Sequence, residues 1–102
     1  MPVLMTMRVT ADGTKAEESA AANRQIYAEV LETSKRHGMI SHHFYASDTE
    51  VMVLDQWPSE EACNAFVAEA QPKIAQIMAG MGVSSEPAVT FWRVLDMGDD
   101  VG

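Results

Sequence analysis

The sequence predicts an α+β domain, a four-stranded antiparallel sheet with its helices on one face. Three observations carry that reading. The stretch Glu50–Val67, EVMVLDQWPSEEACNAFV, passes from strand to helix periodicity within two residues at Trp57-Pro58. Residues 39–57 hold two apolar runs separated by the polar pair Asp48-Thr49, the pattern of a hairpin. A helical segment lies on each side of that hairpin, and a single apolar run stands beyond each helix. The order is strand, helix, strand, strand, helix, strand.

Each element follows from its residues. Residues 3–10, VLMTMRVT, alternate partly, with Val3, Met5, Met7 and Val9 on one face. Asp12-Gly13 marks a turn, and Thr14-Lys15-Ala16-Glu17 fits a capping box. One helix is expected from there to about His37, with Ala20, Asn23, Tyr27, Val30, Leu31 and Ser34 on its buried stripe and Gly38 ending it. Residues 39–47 and 50–57 form the hairpin. Ser59 caps the next helix, Glu60 and Glu61 favour its positive end, and Ala62, Cys63, Phe66, Val67 and Ala70 mark its inner face. Gln71-Pro72 is expected to interrupt it before a further turn or two through Ile74, Ile77, Met78 and Met81. Residues 87–96 are the last strand. Both crossovers are expected to be right-handed, which puts both helices on one face, the ferredoxin-like βαββαβ arrangement. A single domain is expected over residues 1–96, followed by a flexible acidic tail over 97–102.

Composition narrows the partners. The 102 residues are 47% hydrophobic and 22% charged, an ordinary globular balance, with a net charge of −8. Such a chain repels phosphate backbones and anionic lipid, so neither nucleic acid nor membrane is an expected partner. No apolar run approaches the roughly 20 residues needed to span a bilayer. The N-terminus lacks a basic region and a small-residue cleavage site, so the expected location is cytoplasmic. Cys63 is the only cysteine, which leaves no internal disulfide, and its apolar surroundings suit a small buried hydrophobe better than a nucleophile. No metal is expected, since the adjacent His42 and His43 point to opposite sides of a strand and no Glu or Asp sits two or four residues away on the same side of that strand.

Strands two to four carry large apolar residues on both faces: Ile40 and Phe44 against Tyr45, Met52 and Leu54 against Val51 and Val53, Trp92 and Val94 against Phe91 and Leu95. A sheet apolar on both faces must be covered on both. The helices cover one, and a second copy of the chain is the simplest cover for the other, giving a homodimer.

The junction Val53-Leu54-Asp55-Gln56-Trp57-Pro58-Ser59-Glu60-Glu61-Ala62, with Gly38 ahead of strand two, resembles the antibiotic-biosynthesis-monooxygenase-like family of the dimeric α/β-barrel superfamily. The likeness spans nearly the whole chain in length and element order. It implies a homodimer with two sheets face to face and a ligand pocket in each subunit between sheet and helices. Members oxidise electron-rich phenols with neither metal nor flavin, the deprotonated substrate itself giving electrons to oxygen. The resemblance therefore implies a cofactor-independent monooxygenase, cofactor none, acting on a small aromatic, phenolic or polyketide-like molecule. The superfamily also contains isomerases, decarboxylases and haem-degrading enzymes, and a non-catalytic dimeric binding protein for a small apolar molecule is the alternative. The haem branch fits poorly. It takes an axial histidine in the second helical region, an Asn on the first strand and a Trp on the second helix. Here no histidine lies beyond residue 43, the first strand has no Asn, and Phe66 stands in the Trp position.

Phenol oxidation needs a base near neutrality, donors that hold the phenolate, and apolar walls. The candidate catalytic residues are His43, His42 and Tyr45, imidazole being the natural base. Candidate substrate-binding residues are Asn23, Tyr27, Trp57, Phe66, Trp92 and Met7. Alternation predicts that one of the two adjacent histidines faces the helices and the other the uncovered sheet face. Trp57 has a structural reading beside the functional one, closing the core where strand meets helix. Arg93 is expected to pair with a carboxylate such as Asp55.

Overall fold

Strands β1 (Val3–Thr10) and β3 (Glu50–Trp57) form the centre of a four-stranded sheet. The structure is a computed structural model and describes residues 2–102. β2 (Ser41–Ala46) and β4 (Ala88–Trp92) are the edges, in the order β2-β3-β1-β4, and every pairing is antiparallel. This is the ferredoxin-like order that the sequence predicts. β3 is the most regular strand: Val51, Val53, Asp55 and Trp57 are buried beneath the helices, while Glu50, Met52, Leu54 and Gln56 on the other face are partly exposed. The core joins Met5, Val53, Trp57, Cys63, Phe66 and Ala70. Trp57 is wholly buried, its ring centroid 5.3 Å from that of Phe66.

The segment expected as one helix is two, α1 (Gly13–Ala22) and α2 (Arg24–Arg36). The break falls at Asn23, whose backbone N–H and side-chain Nδ2 both donate to the Ser19 carbonyl, at 3.0 and 2.9 Å. An Asn side chain competing for its own helix's carbonyls favours an end over an interior. Asn23 is thus an exposed hinge residue, not part of a buried stripe. The start also differs. Asp12 is the N-cap, its Oδ1 accepting the Thr14 N–H at 2.8 Å, ahead of the expected Thr14 cap. α2 ends as expected at Gly38, where φ is +90°; Gly38 N–H bonds the Lys35 carbonyl and Met39 N–H that of Ser34. A Cβ at Gly38 would also meet Pro58 Cγ at 3.1 Å, so this position ties the helix end to the strand-helix junction.

The expected interruption at Gln71-Pro72 does not occur. α3 runs unbroken from Glu60 to Gly80 with Pro72 inside it. Proline in a helix interior costs about 3 kcal/mol. Residues on both sides of it, Phe66 and Ala70 before and Ile74 after, pack in one core cluster, and that burial overrides the local preference. Ser59 caps α3 as expected, accepting the Ala62 N–H at 3.1 Å. The outer strands are shorter than predicted. Residues 39 and 40 are taken up by the helix end and the approach to β2, and β4 stops at Trp92 because its partner there is Leu4, close to the start of β1.

Candidate functional site

Strand pairing settles which way each histidine faces. His42 sits opposite Asp55 and Phe44 opposite Val53, so both lie on the helix side of the sheet. His43 and Tyr45 sit opposite Leu54 and Met52 on the uncovered side. On the helix side a cavity of about 500 Å³ opens between the sheet and helices α2 and α3. A volume of this size suits a small organic ligand. Its walls are mostly apolar: Met7 and Phe91 from the sheet, Leu31 from α2, Phe66, Ile74 and Met78 from α3. Met5, Met39 and Met81 add further sulfur-containing walls, which adapt readily to a ligand's shape.

Two of the polar residues that line this space, His42 and Asp55, are hydrogen-bonded to each other. Nδ1 of His42 lies 2.6 Å from Oδ1 of Asp55, and the indole N–H of Trp57 donates to Oδ2 of the same carboxylate at 3.3 Å. Asp55 is 3% exposed. A carboxylate held between two ring N–H donors accepts from both, so the neutral imidazole carries its proton on Nδ1 and presents a lone pair at Nε2. Nε2 makes no hydrogen bond among the described residues, and the imidazole is partly exposed while lining the cavity. The ring is also braced edge-on against Phe44, with centroids 5.1 Å apart. The arrangement is an oriented base with an open nitrogen. Tyr27 also lines the cavity, and its hydroxyl is buried without a hydrogen-bond partner. Leaving a buried hydroxyl unpaired costs about 1–3 kcal/mol.

Cys63 also lines the cavity. Burial, with the negative charges of Asp55 and Glu60, pushes its thiol up to about 11, so it is a neutral wall and not a nucleophile. Among the described residues no group of three or more His, Cys, Asp or Glu is placed to hold a metal ion.

The cavity therefore brings together His42, Tyr27, Phe66 and Met7. Trp57 lies behind it and acts on it through Asp55. His43, Tyr45 and Trp92 are on or toward the opposite sheet face; Trp92 Nε1 donates to Thr6 Oγ1 at 2.9 Å. Asn23 is at the helix break and does not line this cavity. The expected pairing of Arg93 with Asp55 is replaced by the contacts of His42 and Trp57, and Arg93 lies past the end of β4. Asp55 is the member that sequence reasoning left out of the site. Its signal was present: a carboxylate in the run Val51, Val53, Asp55, Trp57, on a face otherwise apolar, must have partners.

No protein-family model matches the chain, and no curated protein matches it. Solved structures do match, and they show the fold. SnoaB of Streptomyces nogalater, a cofactor-independent oxygenase, superposes with a TM-score of 0.66 at 16% identity, over 94% of this chain and 95% of that one. The monooxygenase of ActVA-Orf6 of Streptomyces coelicolor, solved with nanaomycin D, gives 0.65 at 20% identity over 92% and 88%. Rv0793 of Mycobacterium tuberculosis gives 0.60 at 18% identity over 97% and 100%. The chain thus has the fold of structures described as antibiotic biosynthesis monooxygenases.

Proposed function

We propose that this protein is a cofactor-independent monooxygenase of small aromatic, phenolic or polyketide-like molecules, working as a cytoplasmic homodimer. The observation that supports it most is His42 on the cavity wall, its Nδ1 fixed by buried Asp55 and its Nε2 left open. The shared fold with a cofactor-independent oxygenase supports the same reading.

The chemistry runs through the substrate's own electrons. An anthrone or quinol in the cavity gives a proton to Nε2 of His42. Asp55 holds the imidazolium that forms, as Trp57 holds Asp55. The Tyr27 O–H donates to the substrate oxygen that gathers the negative charge. The resulting carbanion passes electrons to dioxygen, a carbon–oxygen bond forms, and the peroxide collapses with loss of water. For a ring methylene the balance is one methylene and one dioxygen giving one ring carbonyl and one water. One oxygen atom is kept in the product, and the other is reduced to water with both methylene hydrogens. The apolar walls favour a neutral flat ligand and keep bulk water from the carbanion.

The homodimer reading rests on the uncovered sheet face. Tyr45 and Trp92 are about half exposed there, beside partly exposed Leu4, Met52 and Leu54. A contiguous apolar face of this kind marks an interaction surface.

Oxygen uptake with a panel of anthrones and quinols under 18O-labelled dioxygen tests the reaction. The expected result is one dioxygen consumed per substrate with one labelled atom in the product. No uptake above the uncatalysed rate across the panel overturns it, and favours a binding protein for the same ligands or an isomerase or decarboxylase.

A further inference from the structure

We infer that the ligand site has two chambers, and that the second takes a short uncharged alkyl substituent of an aromatic ligand seated in the first; this rests on the aromatic-ligand reading above. A second hollow of about 330 Å³ lies between α1 and the β2–β3 hairpin. It shares Tyr27, Phe44 and Met81 with the larger cavity, so those three side chains stand between the two hollows. Tyr27 stands at that junction with its hydroxyl buried and unpartnered. A ligand seated against His42 in the larger cavity would direct a substituent past Phe44 into the smaller hollow.

The lining defines the substituent. Gly13, Ala16, Ala20 and Ala46 leave the room, and Val51 and Met81 make it apolar. The space is bounded tightly at one end, where a Cβ on Gly13 would lie 2.6 Å from that of Ala46. Neither chamber is lined by Lys or Arg. Glu17 stands at the smaller one and Asp55 at the larger. An anionic substituent would meet negative charge and find no cation, so the occupant is an uncharged alkyl group and not a carboxylate.

The test uses redox-inert anthraquinones, so that binding is read apart from turnover. Three ligands are titrated against tryptophan fluorescence: the parent ring system, its n-propyl derivative and its 3-carboxypropyl derivative. Each buried methylene is worth roughly fourfold in affinity, so propyl is expected to bind about sixtyfold tighter than the parent. The carboxylate is expected to bind no tighter than the parent. Ala20→Leu fills the smaller chamber and is expected to bring the propyl ligand's affinity down to the parent's level; Ala16→Leu repeats the test from the neighbouring turn. Equal binding of propyl and parent ligands by the unaltered protein overturns the two-chamber inference while leaving the aromatic-ligand reading standing. An undiminished propyl advantage in both folded variants does the same. Failure of all three ligands to bind overturns both.

Discussion

Replacing Asp55 by Asn separates holding His42 in place from fixing its proton. Asp55 accepts two bonds, from His42 Nδ1 at 2.6 Å and Trp57 Nε1 at 3.3 Å. An Asn has one acceptor oxygen and one amide NH2 group. With its oxygen turned to the Trp57 N–H, its amide nitrogen faces Nδ1. The imidazole must then offer Nδ1 as acceptor and carry its proton on Nε2, where the base should be. Both bonds persist, but each loses its charged acceptor. A bond to a charged group is worth about 1.5–3 kcal/mol and a neutral one about 0.5–1.5, so the variant is expected to lose only about 2–3 kcal/mol of stability. General-base catalysis contributes about 10²–10⁴ in rate, and the variant should lose that whole factor in kcat. Asp55→Ala differs: it orphans two buried donors at about 1–3 kcal/mol each and is expected to cost about 2–6 kcal/mol. Urea unfolding gives the stabilities, an oxygen electrode gives the rate, and 15N-edited NMR of the imidazole reports the tautomer. A folded Asp55→Asn protein with the wild-type rate, or a wild-type neutral ring with its proton on Nε2, would refute this account of the base.

The surroundings of the site carry three other expectations. Hydrogen bonds from Arg36 and then from His37 hold the Glu69 carboxyl at about 2 instead of 4.5, clasping α2 to α3. Stability from a lowered carboxylate is present above 4.5 and lost as pH falls toward 2, so urea midpoints should drop more steeply with acid in wild type than in Glu69→Gln; parallel curves would show that the clasp contributes nothing. The Cys63 thiol, raised to about 11, should resist a disulfide reagent at pH 8 in the folded protein and react once it unfolds. Because that pKa lies above the unfolded value, its contribution is full below about 9 and is lost as pH rises toward 11, by up to roughly 3 kcal/mol; fast labelling of native protein at pH 8 would contradict the burial. Leu54→Lys puts a charge in the middle of the uncovered sheet face and should convert a sedimenting dimer to a monomer. A wild-type mass of one chain at micromolar concentration would refute the dimer directly.

The fold was legible because its signals are local and repeated. Alternation in Val51–Trp57, the Ser59 cap and Gly38 each specify one feature, and neighbouring features agree. What local rules missed was decided by competition. Asn23 ends a helix because its side chain folds back onto the Ser19 carbonyl that its own backbone N–H also bonds, although its position in the apolar stripe suggests a buried group. Pro72 failed to end one because the packing on both sides outweighed a single lost bond. The site was half legible. Alternation alone separated His42 from His43, but only the register of β2 against β3 says that His42 is the one beneath the helices and opposite Asp55. A one-residue slip would reverse the answer. The vacant partner of Tyr27 and the second hollow depend on the shape of packed helices, which no spacing in the sequence encodes.

In the proposed reaction His42, and not His43, is the base. Oxygen uptake by His42→Ala and His43→Ala, each checked for a wild-type unfolding transition and measured on the best substrate of the panel, tests it most directly. The expected result is a loss of about 10²–10⁴ in kcat for His42→Ala and near-wild-type turnover for His43→Ala. Full activity in His42→Ala, or the loss arising in His43→Ala instead, would contradict it.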